Sequence, residues 1–125
     1  MTQGKTTRRI GRETEALACA YLQARGLRLL ERNYSTAAGE IDLIMTDRHC
    51  LVFVEVRYRR SDRFGSGAET VTAGKQRKLL ATAAGYLQRH PERAGSAARF
   101  DVVSIGGQGQ RHTINWIRDA FQACP

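Results

Sequence analysis

Apolar residues recur along the 125-residue chain at two spacings, one typical of helices and one typical of strands. Apolar stripes at helical spacing are found over residues 10–25 and 73–89. Patterns typical of strands are found over residues 27–34, 40–46, 51–57, 99–105 and 111–117. A chain of this length has room for a single domain with a core of its own. The pattern therefore predicts two helices and five strands in one domain, residues 10–125, preceded by a flexible basic arm over residues 1–9.

Local signals support the ends of both helices. Gly26 follows the first helix, in the place where glycine commonly terminates one. Thr72 precedes the second helix and is predicted to be its N-cap. The buried face of the second helix is predicted to carry Leu79, Leu80, Ala83, Tyr86 and Leu87.

A β-hairpin is predicted in the middle of the chain, where two strands flank the polar segment 47–50. The length and polarity of this segment suit a reversal of the chain. If Thr46 and Leu51 form the last pair before the turn, counting outwards places Asp42 directly opposite Glu55.

The same register distributes the side chains of the hairpin between two faces. One face is predicted to carry the facing pairs Asp42 with Glu55 and Glu40 with Arg57. The other face, toward the apolar core, is predicted to carry Ile41, Leu43, Val54 and Val56. Two carboxylates opposite each other in a ladder lie about 5 Å apart and repel. A divalent cation would turn this repulsion into coordination, whereas a hairpin slipped by one residue would leave both acids facing solvent.

The charge of the chain favours a polyanionic partner. Its net charge is +8, its isoelectric point is about 10.1, and nearly all the positive charge is arginine. Arginine makes forked contacts with phosphate, so this composition favours nucleic acid over simple solubility as the explanation. Because no apolar run could cross a membrane or serve as a signal peptide, a cytoplasmic protein without a membrane partner is expected.

Two clusters of basic residues are candidate phosphate contacts. The first follows the hairpin, where arginines, aromatic residues and glycines are combined over residues 58–67. The second lies in the first turns of the second helix, where the helix dipole disfavours cations unless an anion docks there or an acid such as Glu69 compensates. The predicted nucleic-acid contacts are Arg57, Arg59, Arg60, Arg63, Lys75, Arg77 and Lys78.

Several motifs together resemble the YraN-like family of uncharacterised bacterial proteins. The most specific are GEIDLI at residues 39–44 and VFVEV at residues 52–56, and the resemblance covers nearly all of residues 11–121. The other matching positions are Gly11, Glu15, Ala18, Tyr21, Leu22, Gly26, Arg32, Asn33, Tyr34, Arg57, Lys75 and Arg99 to Val103. That family is similar to restriction-endonuclease-like nucleases, in particular Holliday-junction resolvases. The resemblance implies an α/β three-layer sandwich, with a mixed central sheet flanked by helices.

The resemblance also implies a metal site of the PD-(D/E)xK type. Asp42 matches the aspartate of that motif, Glu55 its second acid, and Arg57 the position of its lysine. Glu15 matches a helix glutamate that such nucleases often add to the site. Spacing alone would explain Glu15, like Glu13, by favourable charge near the start of a helix. By resemblance, the expected ligands of Mg²⁺ or Mn²⁺ are Asp42, Glu55 and Glu15.

Two functions of different class follow from these residues. The first is a metal-dependent endonuclease acting on DNA, in particular branched or single-stranded DNA, and resolvase-like folds add a homodimer as one option. The second is a nucleic-acid-binding protein that keeps a nuclease scaffold without cutting. Arg57 separates them, because a guanidinium stays protonated and cannot act as a general base. Catalysis would then rely on Arg57 as a fixed charge, or on Lys75 or Lys78 reaching in from the second helix.

Overall fold

A computed structural model of the protein describes residues 3–59, 71–107 and 112–121, with side chains described from residue 11 onwards. Within these ranges two α-helices and one short 3-10 helix are present, namely α1 (Gln3–Ala24), α2 (Ala73–Arg89) and the 3-10 helix Pro91–Arg93. The same ranges contain five strands, namely β1 (Arg28–Thr36), β2 (Gly39–Asp47), β3 (Cys50–Arg59), β4 (Ala97–Gly106) and β5 (Thr113–Phe121).

The five strands form one mixed sheet in the order β1-β2-β3-β4-β5. Neighbouring strands are antiparallel except for β3 and β4, which are parallel. A parallel pair needs a long crossover connection, and α2 lies between these two strands in the chain. The fold is therefore α/β with a mixed central sheet, as the sequence analysis predicted.

The two helices cover opposite faces of the sheet and produce two apolar clusters. In the first cluster Ala18 and Leu22 of α1 pack with Leu43 and Val54 of the hairpin. The second cluster joins α2 to the other face, and its members include Ile41, Ile44, Leu51, Phe53, Leu79, Ala83, Tyr86, Phe100 and Val102. The protein is thus a three-layer sandwich. Because both faces are buried, the prediction of one apolar and one charged face for the hairpin is wrong, and Ile41 lies in the second cluster.

The predicted register of the hairpin is confirmed. Thr46 pairs with Leu51, and the paired residues run from Asp47 with Cys50 to Leu43 with Val54. The alternative register, slipped by one residue, is therefore wrong.

Both bounds of α2 agree with the prediction, and so does its cap. The Oγ1 atom of Thr72 accepts a hydrogen bond from the backbone amide of Lys75 at 3.1 Å. Leu80 and Leu87, predicted on the buried face, are only half-buried.

Two element boundaries differ from the sequence prediction by more than two residues. The first helix begins at Gln3 and not at residue 10, so helical backbone extends into the segment predicted as an arm. The last strand continues to Phe121, and both Ala120 and Phe121 pack against the second cluster. No helix in the part of the chain that the structure describes is long and apolar enough to cross a membrane. The division of the chain into an arm and one domain stays a prediction.

The start of β2 lies unusually close to α2. A Cβ atom at Gly39 would lie 3.1 Å from Oγ1 of Thr82 and 3.5 Å from Cβ of Lys78. The Thr82 hydroxyl is held in place, since it donates a hydrogen bond to the Lys78 carbonyl at 2.7 Å. Gly39 also has a φ of 154°, which L side chains rarely adopt. Glycine therefore sets the distance between α2 and the strand that carries Asp42.

We expect Gly39→Ala to lower the free energy of unfolding by about 1–3 kcal/mol, since overpacking and backbone strain add. Gly85→Ala is the matched control, because nothing lies within 4 Å of a Cβ at that helical position. Alanine there should raise the free energy of unfolding by up to about 1 kcal/mol. Urea unfolding of both variants measures the two effects, and equal effects would contradict the close packing at Gly39.

Candidate active site

Asp42 lies where the paired part of the β2–β3 ladder ends. The last pair is Leu43 with Val54, and the side chain of Asp42 continues the contact between the strands. Its Oδ2 atom accepts a hydrogen bond from the backbone amide of Val56 at 2.8 Å. The carboxylate is thus fixed between the two strands, and within the described residues no ion pair with a lysine or arginine compensates it.

Glu55 is the second carboxylate and is only 7% exposed. Its Oε2 atom lies 3.4 Å from Nζ of Lys75 at the start of α2, and 3.9 Å from a terminal nitrogen of Arg57. The Lys75 side chain is 42% exposed, so its amine is accessible to solvent while it contacts the buried carboxylate of Glu55. Of the two lysines expected to reach in from the second helix, Lys75 does so.

The carboxyl groups of Asp42 and Glu55 contact each other, as the predicted register requires. Burial of Asp42, followed by the charge of Glu55, raises its pKa from the ordinary value of 3.8 to about 7. The hydrogen bond from the Val56 amide acts in the opposite direction but is outweighed. Near neutral pH Asp42 therefore retains its proton for part of the time, because its negative charge would be poorly solvated and in contact with Glu55.

Glu15 reaches this pair from α1. Burial, followed by the charge of Asp42, raises the pKa of Glu15, while a hydrogen bond from the Asn33 side chain lowers it. Asn33 stands in β1 with a φ of 51°, a left-handed conformation that asparagine tolerates better than most residues. Sequence analysis matched Asn33 to a family motif but gave it no role. A short amide side chain within a strand pattern is the only sign of it in the sequence.

The structure brings all five predicted catalytic residues into one chain of contacts. Because α1 and α2 cover opposite faces of the sheet, Glu15 and Lys75 approach the end of the β2–β3 ladder from different layers. The five residues are Glu15, Asp42, Glu55, Arg57 and Lys75. This convergence depends on the fold and is not visible in the spacing of the residues along the chain.

The oxygen atoms at this site are the kind of ligand that hard divalent cations prefer. Asp42 and Glu55 offer only oxygen atoms, and the raised pKa of Asp42 means that its negative charge is poorly compensated. However, among residues 11–59, 71–107 and 112–121 no three His, Cys, Asp or Glu side chains are grouped closely enough to hold a metal ion. The geometry thus contains a two-carboxylate nucleus with Glu15 beside Asp42, and the third ligand stays a prediction.

The predicted cross-strand pair of Glu40 with Arg57 is not formed. Glu40 accepts a hydrogen bond from the Ser35 hydroxyl at 3.0 Å, across the turn between β1 and β2. Arg57 turns instead to Glu55, and its Nε atom is buried without a hydrogen-bond partner. The ladder between the two strands has already ended at Leu43, so the backbones of Glu40 and Arg57 are not paired. The contact with Glu55 therefore places the Arg57 guanidinium beside the carboxylate pair.

Asp101 is a second buried carboxylate, and it shows how this fold compensates such a group. Its oxygens accept hydrogen bonds from Arg99 at 3.0 and 3.2 Å, from the Trp116 indole at 2.9 Å and from the Asp119 amide at 2.9 Å. Arg99 also contacts Asp47 at 3.0 Å. Asp101 therefore ties β4 to β5, whereas Asp42 lacks comparable partners among the described residues. Sequence analysis assigned no role to Asp101.

The predicted nucleic-acid contacts are only partly described. Arg59 is half-buried at the end of β3, and Arg77 and Lys78 are exposed on α2. Arg60 and Arg63 lie outside the described residues, and so does most of the loop that was predicted to contact phosphate.

The model of the uncharacterised protein family UPF0102 matches residues 14–105, a range that includes the carboxylates and Lys75. The chain belongs to this family. UPF0102 is the YraN family, so the resemblance found in the sequence is confirmed. The chain is similar to UPF0102 proteins of Nitrosococcus oceani (53% identity, covering 94% of both chains) and Stutzerimonas stutzeri (50%, covering 90% of this chain and 94% of the relative). A third UPF0102 protein, from Vibrio parahaemolyticus, is 49% identical and covers 91% of this chain and 93% of its own.

The raised pKa of Asp42 predicts how stability depends on pH. In this UPF0102 protein Asp42 binds more protons in the folded state than in the unfolded state between about pH 4 and pH 7, so its contribution to stability falls as pH rises through that window. Asp42→Asn keeps an acceptor for the Val56 amide but carries no proton to lose. Relative to wild type, the variant should gain up to about 1.4 kcal/mol per pH unit in that window.

Urea unfolding in metal-free buffer at several pH values measures this difference. Glu13→Gln removes an exposed carboxylate from α1 and serves as the charge-matched control. A difference between Asp42→Asn and wild type that stays constant from pH 4 to pH 8 would contradict the buried pair.

Proposed function

We propose that this protein is a metal-dependent endonuclease that hydrolyses phosphodiester bonds in DNA. The observation that carries the proposal is the contact between half-buried Asp42 and buried Glu55, together with the raised pKa of Asp42. A carboxylate kept for stability would be expected to have partners like those of Asp101. The arrangement around Asp42 instead suits a cation that is bound when the protein works.

Mg²⁺ or Mn²⁺ is the expected cofactor, held by Asp42 and Glu55 with Glu15 as a further ligand. When bound, such an ion supplies a Lewis acid that stabilises negative charge on a phosphate and activates water. Glu15 contacts Asp42 and Asn33, so it also positions the first carboxylate. Ligands that come from α1, β2 and β3 would make the site sensitive to how these layers pack.

The PD-(D/E)xK motif has a lysine at the position that Arg57 occupies here. Lys75 is suited to perform the function of that lysine. Its amine lies 3.4 Å from Glu55 and is partly exposed, so it can donate to a water or to a phosphate oxygen at the mouth of the site. Arg57 cannot accept a proton, but its guanidinium lies beside Glu55 in a side chain that is 26% exposed, and it can bind a phosphate oxygen. Lys75 and Arg57 together would thus perform the functions that a single lysine performs in the motif.

The charge of the protein supports DNA as the substrate. The net charge of +8 attracts a polyanion, and Arg77 and Lys78 are exposed on α2, two and three residues after Lys75. Phosphates bound by these residues would lie beside the carboxylate pair. Branched or single-stranded DNA is the class of substrate that the resemblance to resolvases favours.

A second candidate function is nucleic-acid binding without cleavage. Two observations favour it, namely an arginine at the position of the motif lysine and the absence of a three-donor metal group among the described residues. In that case Glu55 would serve to hold Lys75 and Arg57 for phosphate contacts. Cleavage assays separate the two functions.

We expect the purified protein to cut labelled single-stranded, flapped or four-way-junction DNA in Mg²⁺ or Mn²⁺ but not in EDTA. The double variant Asp42→Asn, Glu55→Gln should lose at least 100-fold in cleavage rate, since both proposed ligands are replaced by neutral groups. Thermal unfolding of the variant checks that the loss is not due to misfolding. Binding without any metal-dependent cleavage would favour the second function.

Matched variants in the same assay test the role of the lysine. Lys75→Met should reduce cleavage at least tenfold, while Lys78→Met, one turn further along the same helix, should reduce it far less. Arg57→Lys places the motif lysine in its usual position and should leave or raise the rate. Equal reductions for the two Lys→Met variants would show that Lys75 contributes only charge.

A further inference from the structure

A pocket of about 510 Å³ lies at the hairpin turn, at the other end of β2 from Asp42. The end of α1, the turn between β2 and β3, and strand β5 meet there. The residues that line it are Arg25, Gly26, Asp47, Arg48 and Arg118. Three of its five lining residues are arginines, and nothing in the proposed chemistry uses them.

The positive charge of this arginine pocket is not compensated by carboxylates of the described residues. Asp47 is the one acid that lines it, and its Oδ2 atom is already bound by Arg99 at 3.0 Å. Within the described part of the chain, Arg25, Arg48 and Arg118 make no ion pair with any carboxylate. An anion from outside the chain would therefore bind without displacing an existing partner.

Two of the three guanidinium groups are held in place by aromatic rings. The Arg25 guanidinium lies 3.5 Å from the centroid of the Tyr21 ring, and its NH1 atom donates to the Tyr21 carbonyl at 3.1 Å. The Arg118 guanidinium lies 4.1 Å from the centroid of Trp116. The two rings pack edge to face with centroids 6.5 Å apart. Stacking fixes the planes of the cations and leaves edge N–H donors for a ligand, so binding costs less entropy.

The third arginine occupies a backbone position that most side chains avoid. Arg48 has a φ of 58° at the hairpin turn, where glycine or asparagine is the usual residue. A left-handed conformation costs a residue such as arginine about 1–2 kcal/mol. The turn thus presents a cation in place of the residue that its backbone geometry favours.

We propose that the arginine pocket binds a backbone phosphate of duplex DNA. This contact, in addition to the one at the carboxylate pair, would determine which class of DNA the endonuclease accepts. This inference rests on the proposed function. Asp42 and Asp47 are five residues apart on β2, or about 17 Å. Glu15 lies in α1 and Arg25 directly follows its last residue. The ten residues between them correspond to about 15 Å along the helix axis.

The two distances agree, so the pocket lies about 15–17 Å from the carboxylate pair, which corresponds to four or five base pairs of duplex. Two rigid anchors at a fixed separation favour a duplex, whose phosphates also keep fixed separations, over a flexible single strand. The substrate we infer is therefore a branched or flapped molecule with a duplex arm that extends from the cleaved position toward the arginine pocket.

The test compares binding of labelled duplex and single-stranded DNA by fluorescence anisotropy in EDTA, so that no cleavage occurs. The test variant is Arg25→Gln with Arg118→Gln, and Arg48→Asn, which suits the left-handed backbone, is made as a separate variant. The matched control, Arg89→Gln with Arg93→Gln, removes the same charge at the end of α2, on the opposite face of the sheet.

We expect the test variant to bind duplex at least tenfold more weakly than the control and to bind single strands nearly as well. The slope of log affinity against log salt concentration should fall by about one for each phosphate that the variant no longer neutralises. Equal affinities for test and control variants would overturn the inference. So would displacement of duplex by polyglutamate as readily as by unlabelled duplex at equal charge, since that would indicate an acidic protein partner.

This result can be separated from the fate of the proposed function. Selective weakening of duplex binding in the variant, with no cleavage by the intact protein, would keep the arginine pocket and overturn the nuclease. Metal-dependent cleavage by the intact protein, with unchanged duplex binding in the variant, would keep the nuclease and overturn the pocket. Thermal unfolding of each variant confirms that the comparison is made between folded proteins.

Discussion

The contact between the carboxyl groups of half-buried Asp42 and buried Glu55 is the constraint on which the rest of the candidate site depends. It opposes folding at neutral pH, because burial and mutual repulsion raise the pKa of Asp42 to about 7. Proteins usually keep such unfavourable pairs only where they serve a function. The neighbouring groups support this view, since among the described residues Lys75 and Arg57 approach Glu55, while Asp42 has a backbone amide but no cation beside it.

The three-layer architecture explains how so small a domain holds this pair in place. Apolar clusters on both faces of the sheet fix the hairpin, and the register set at the turn brings the two acids together. The two helices then deliver Glu15 and Lys75 from opposite layers. Gly39 lets β2 begin close to α2, so the strand that carries Asp42 and the helix that carries Lys75 are packed together. The arginine pocket at the far end of the same strand would extend this surface along a bound nucleic acid.

Much of this could be predicted from the sequence, because the signals were local. The turn at residues 47–50 fixed the register and therefore the facing acids, and Thr72 fixed the start of α2. The contacts of Asn33, Arg57 and Asp101 could not be predicted, since each depends on which strands and helices meet in space. The single charged face assigned to the hairpin was wrong because the pattern along two strands does not reveal that a helix covers each side. Arg25 and Arg118 meet for the same reason only in the folded chain.

Calorimetric titration with Mn²⁺ at about pH 6, in two buffers of different ionisation enthalpy, tests the central claim most directly. Such titrations report both the affinity and the number of protons released on binding. The account predicts release of up to about one proton per bound ion from wild type, because the cation replaces the proton held by Asp42. Asp42→Asn should bind the ion more weakly and release none. Binding without proton release in wild type, or no binding at all, would contradict the assignment of this carboxylate pair as a metal site.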